Sequence, residues 1–176
     1  MESTAKSSSI NYGLYLGIIL ALSIIIPYAV NTDILVNPIY GISLLLIILI
    51  IPIIASIKAK KLSGGILNFK HTFTAFFLTL VIGLAISSLT NYVLFNFIDL
   101  ETGQAIQEKA IEARAQGMQS FGANEETISE FMNTAEENYQ YSLSNILIGL
   151  AGSIVIFSIL GLISSAFIKK NPENDY

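Results

Sequence analysis

The sequence predicts an all-α integral membrane protein: four transmembrane helices, with an extracytoplasmic helical insertion between the third and the fourth. Three observations carry the prediction. Hydrophobic residues make up 53% of the 176 and charged residues only 12%, about half the share usual in soluble domains, so much of the chain requires an apolar solvent. Four windows without Asp, Glu, Lys, Arg or His are each long enough to cross about 30 Å of hydrocarbon at about 1.5 Å per helical residue. Between the last two windows the composition changes abruptly, and residues 98–141 hold nine acids against two bases.

The spans follow in order along a single membrane domain covering 1–176. The first covers about 10–30; its apolar core is longer than that of a secretory signal and no small-x-small cleavage site follows, so it is expected to remain as a span. The second covers about 38–57, the third about 72–97 and the fourth about 142–168. Backbone groups in hydrocarbon must be satisfied within the chain, which makes each window a helix.

The basic residues set the orientation. Lys6, Lys58, Lys60, Lys61, Lys70, Lys169 and Lys170 fall on one side of the four-span arrangement, and only Lys109 and Arg114 fall on the other. By the positive-inside rule both termini are cytoplasmic. Tyr28, Tyr40, Tyr92, Tyr139 and Tyr141 cluster at the opposite edge, the expected place of an interfacial aromatic belt. The stretch from Ile57 to Phe73 carries four lysines, the single histidine and Gly64-Gly65. It lacks the long glycine pattern ending in Lys-Ser/Thr that cradles phosphates, so it is expected to be a turn whose lysines (Lys58, Lys60, Lys61, Lys70, beside His71) suit a helix C-terminus and cytoplasmic headgroups. Past the turn, Ile66, Leu67, Phe69 and Phe73 are spaced for a short segment along the interface.

Within the spans the absence of ionisable residues argues against a proton-coupled pump, because such groups mark ion pathways. Small and polar residues recur instead at four-residue spacing: Gly13, Gly17 and Ala21 on the first span, Thr79, Gly83, Ser87 and Asn91 on the third, Gly161 and Ser165 on the fourth. Such rows bring helix backbones close and are expected to form the packing faces. The sharper alternative is a polar path along Thr79, Ser87 and Asn91.

The acidic segment has helical periodicity. Ile106, Ala110 and Ala113 repeat before Gly117, and Ile128, Phe131, Met132, Ala135 and Tyr139 form a narrow apolar stripe, so two helices are expected, the second capped by Asn124. No glycine or proline lies between Asn124 and Ser142, which predicts that the second helix runs into the fourth span as a stalk. The stripe residues Ile128, Phe131, Met132 and Ala135 are the candidate partner face. The many glutamates lack the Asp/Asn loop of a calcium site, and no catalytic pair, nucleophile or cofactor motif is present.

The basic loop with Gly64-Gly65 followed by Phe69 and Phe73, then Asn91-Tyr92 through Asn96-Phe97-Ile98-Asp99, then Gln116-Gly117-Met118, resembles domain-of-unknown-function family 4199, small four-span bacterial membrane proteins. The resemblance covers nearly the whole chain, implies a bacterial inner-membrane location and carries over no catalytic residue. Lys70-His71 stand where the family pattern has a small or acidic pair, which argues against fixed chemistry at that turn. The functional expectation is a non-enzymatic structural or interaction protein without cofactor or metal. Besides the lipid bilayer, its outer segment would bind a membrane or periplasmic protein or a second copy. The alternative is an oligomeric transporter or channel for a small neutral or hydrophobic solute. Nucleic-acid binding is not expected, with the lysines gathered at membrane edges.

Overall fold

Polar residues at the window edges decide where each helix begins. The computed structural model describes residues 3–170, so the ends of the predicted 1–176 domain lie outside it. Its helices are α1 (Ser3–Val30), α2 (Asp33–Val36), α3 (Pro38–Leu62), α4 (Phe69–Val93, continued by a π-helical turn, Leu94–Ile98), α5 (Leu100–Ser120), α6 (Glu125–Glu137) and α7 (Leu143–Ile168). Asn37 caps α3 through its side-chain oxygen, ahead of Pro38 at a position whose N–H has no helical partner. Asn68, Asp99, Asn124 and Ser142 cap α4, α5, α6 and α7 in the same way.

Four helices, α1, α3, α4 with its π-turn, and α7, are long and apolar enough to cross a membrane. Helix α4 is central, packing on α1, α3 and α7, while α1 and α7 lie on opposite sides of it without meeting. Gly13 of α1 faces Ile82 and Gly17 faces Ile86, so α1 and α4 run parallel. Gly161 of α7 faces Phe76 while Asn96, beyond α4, reaches Tyr141, so α4 and α7 run antiparallel. This up-down order is what four consecutive membrane-crossing helices require. Leu16, Leu20, Phe76, Leu80, Leu84 and Phe157 form the central core. Around it, α3 and α7 leave most of their apolar surface uncovered, as lipid-facing helices do.

At the lysine-rich end, Gly64 and Gly65 take positive φ of 70° and 84°, and the Gly65 N–H donates to the Lys60 carbonyl, closing α3. The Lys60 ammonium donates to the Ile168 carbonyl at 2.6 Å, capping α7 from another helix. Leu67 and Lys170 exchange two backbone hydrogen bonds of 2.9 Å. That pairing buries Leu67, and α4 begins at once at Phe69, so the expected interfacial segment from Ile66 to Phe73 does not form.

At the other end, α5 and α6 pack as a hairpin between α4 and α7. The continuous stalk expected from the sequence is absent: α6 stops at Glu137, the backbone turns through 138–142, and α7 starts at Leu143. Helix α5 also runs through Gly117 to Ser120, and Gly122, with φ of 83°, makes the turn instead.

Candidate functional site

The hairpin is tied to the bundle by a compact set of polar contacts. Asp99 ends the π-turn and caps α5: its Oδ1 accepts the Thr102 N–H at 2.9 Å, and its Oδ2 accepts the Thr102 hydroxyl at 2.7 Å and the Tyr28 hydroxyl at 3.0 Å. One carboxylate therefore joins α1, α4 and α5. The backbone and side-chain hydrogen bonds from Thr102 hold its pKa below the ordinary carboxylate value.

Gln107, buried on α5, closes the opposite side. Its Nε2 donates to the carbonyls of Ala135 at 2.8 Å and Asn138 at 3.2 Å, and its Oε1 accepts the Gln140 N–H at 2.8 Å. These are the backbone groups freed where α6 ends. The helix break is thus satisfied by a side chain from the neighbouring helix, and for that reason it needs no glycine or proline. Tyr139 donates to the Phe95 carbonyl at 2.6 Å, and the Tyr141 ring lies 4.4 Å from the Phe95 ring. Burial raises the Tyr141 phenol well above its usual value, so it stays neutral. Gly103 sits under both: a β-carbon there would fall on the Tyr139 hydroxyl and 2.9 Å from Phe95 Cβ. Of the tyrosines expected in an interfacial belt, Tyr28 and Tyr139 therefore point their hydroxyls into the protein, and Tyr40 does so too, donating to the Ser23 carbonyl at 2.6 Å.

The stripe residues Ile128, Phe131, Met132 and Ala135 are half-buried along the α5 side of α6, whose other residues are exposed. The facing residues of α5 are Gln107, Ile111 and Ala115; Ile106 turns to the bundle, packing with Ile24, Leu94 and Phe95, and Ala113, expected on the apolar face, points to solvent. At the hairpin tip Arg114, Met118, Phe121 and Phe131 line an open hollow of about 650 Å³, with Phe121 95% exposed. On another side, Glu108, Glu112, Glu136 and Glu137 line an acidic hollow of about 630 Å³. A single ion pair, Lys109 with Asp33 at 2.5 Å, joins α5 to α2 among the described residues.

The small residues of the spans divide into two groups. Gly13, Gly17, Thr79, Gly83, Gly161 and Ser165 are buried at helix contacts, and the Thr79 hydroxyl bridges to the Ser9 carbonyl of α1 at 2.9 Å. Ala21, Ser87 and Asn91 are half-buried. Ser87 and Asn91 line a groove towards α7 that Thr79, turned to α1, does not reach. A four-residue row drifts about 40° per step on a helix, which is why its members part company. Sequence reasoning missed Asp99, Gly103 and Gln107; the one visible signal was Asp99 three residues before Thr102, a capping spacing.

Replacing Asp99 with Asn is expected to weaken hairpin docking and to remove part of its acid sensitivity. The depressed native pKa means that the Asp99 contribution is fully present above its unfolded value of about 3.9 and is lost as pH falls from there through the native value. Hydrogen exchange of α5 between pH 3 and 7 checks this. Wild type should lose more α5 protection than Asp99→Asn on acidification, and identical profiles would deny Asp99 the role.

Among known proteins, the family described as Protein of unknown function (DUF4199) matches residues 11–170. No curated protein and no solved structure matches the chain. The matched range takes in all but the first turns of α1, the complete hairpin and its junction, and the chain belongs to this DUF4199 family of proteins of unknown function.

Proposed function

We propose that the chain is a non-enzymatic interaction protein of the bacterial inner membrane, with cytoplasmic termini and an extracytoplasmic hairpin that binds a partner protein or a second copy. The observation that carries the reading is the exposed apolar tip. Phe121 stands 95% exposed beside Met118 and Phe131, on a hairpin fixed at its base by Asp99, Gln107 and Tyr139. Apolar surface left open to water at the end of a rigid arm favours a covering protein surface. The stripe on α6 is partly spent on α5, so the partner face moves from Ile128, Met132 and Ala135 towards Phe131 and the tip. The orientation rests on the seven-to-two distribution of basic residues, and the bacterial inner membrane on the family resemblance. A solute path has less support, because the Thr79 hydroxyl is sealed against α1.

A photoreactive side chain placed at Phe121 tests the reading in intact membranes. One discrete cross-linked product is expected, either a dimer of the chain or a heterodimer of constant mass, and Phe131→Glu should diminish it while leaving membrane insertion intact. A smear or no product would remove the tip as a binding surface.

A further inference from the structure

Two of the hollows around the hairpin join into one groove. The upper part, about 510 Å³, lies between the hairpin and α7, with Arg114, Phe131, Thr134 and Asn138 on the hairpin side. The lower part, about 270 Å³, runs between α4 and α7 past Leu84, Ser87, Asn91, Ile146 and Leu150. Gln140, Asn145 and Gly149 line both, so the two parts adjoin along α7.

The charge of this groove differs from that of its surroundings. The other hollow on the α5–α6 seam carries Glu125 and Glu136, and the acidic one carries four glutamates, whereas neither part of the groove has a carboxylate. Its one charge is the Arg114 guanidinium, which makes no ion pair among the described residues although acids are abundant on the same hairpin. The Gln140 side-chain amide, with no hydrogen bond among the described residues, lies at the junction of the two parts. Guanidinium favours phosphate oxygens through paired N–H donors. In the lower part Leu84, Ile146 and Leu150 stand beside Ser87, Ser88 and Ser153, neutral side chains on helices long and apolar enough to span a membrane. A cation in the upper part, neutral amides at the junction and an uncharged slot of aliphatic and serine side chains along the spans match the phosphate, ester and acyl levels of one lipid.

We propose that this groove binds one membrane glycerophospholipid, its phosphate on Arg114, its ester region beside Gln140 and an acyl chain along the α4–α7 slot. The site needs the hairpin end of the bundle to lie at a membrane surface; it shares Arg114 and Phe131 with the hollow beside Phe121, whereas Gly149 lines the groove and not the tip, so its variant separates the two.

Native mass spectrometry of the full chain from mild detergent, with phosphatidylglycerol or phosphatidylethanolamine added, tests it. Wild type should retain one phospholipid per chain. Arg114→Gln should lower retention at least about tenfold, the loss expected for a charge-assisted contact. Gly149→Leu should do the same by filling the slot, and a β-carbon at Gly149 meets no atom within 4 Å, so this variant is expected to fold. Lys109→Gln, which removes the other base of the hairpin, should leave retention unchanged. Equal retention across wild type, Arg114→Gln and Gly149→Leu would overturn the proposal. Complete displacement by inorganic phosphate would also overturn it, by making the site one for a soluble anion.

Discussion

Gly103→Leu is expected to release the hairpin from the bundle. At this position α5 crosses the π-turn with only a hydrogen for a side chain, directly under the Tyr139 hydroxyl and Phe95. Neither neighbour can give way easily: Phe95 is fully buried, and Tyr139 is held by its hydrogen bond to the Phe95 carbonyl. A leucine would lift α5, pulling Thr102 from Asp99 and Gln107 from the 135–140 backbone. The cost should reach about 1–3 kcal/mol or more, the range for overpacking a tight site. Limited proteolysis in membranes should then cut within 100–137 while the four spans remain inserted. Gly117→Leu on the same helix meets no atom within 4 Å and should stay resistant. Equal resistance of both variants would show that the hairpin is not seated through Gly103.

The second large effect lies inside the bundle, at Gly83→Leu. A β-carbon there comes within 2.5 Å of the Leu16 side chain, which is completely buried. Lipid tails are as apolar as leucine, so helix association in a membrane depends on close packing, and α1 and α4 would have to separate. A loss of about 1–3 kcal/mol or more is expected, read as a lower melting temperature in detergent. Gly152→Leu, on an exposed face with nothing within 4 Å, should melt like wild type. If the Gly83 and Gly152 variants melted alike, the α1–α4 contact would not be what holds the bundle.

The four spans were legible because hydropathy over about 20 residues is a local property, and so were caps such as Asn124, where one side chain meets a backbone N–H three residues on. What escaped depends on distant neighbours. The break at 138–142 contains no helix breaker; it exists because Gln107 satisfies the freed backbone and the Phe95 pocket draws in Tyr139 and Tyr141. Gly103 has no turn around it to advertise its role, which comes from a close approach of two segments. Ala113 matched the helical period as well as Ala110 did, yet α5 turns Gln107 and Ile111 to its partner, since a polar residue with three backbone partners can occupy a core position. The tyrosines were placed at the correct end of the bundle, but composition alone does not tell an outward hydroxyl from an inward one.

The hairpin, docked on the four-span bundle, is expected to lie on the side of the membrane opposite the lysines. The chain has no cysteine, so single cysteines report on it directly. The Ser63 hydroxyl is buried, which makes the half-exposed Ile66 the better reporter for the lysine-rich end, and exposed Ser120 serves for the hairpin. Ile66→Cys and Ser120→Cys would each be treated in intact spheroplasts with a membrane-impermeant maleimide, before and after permeabilisation. Position 120 is expected to react at once and position 66 only after permeabilisation. Immediate reaction at 66 with protection at 120 would invert the protein and contradict the account.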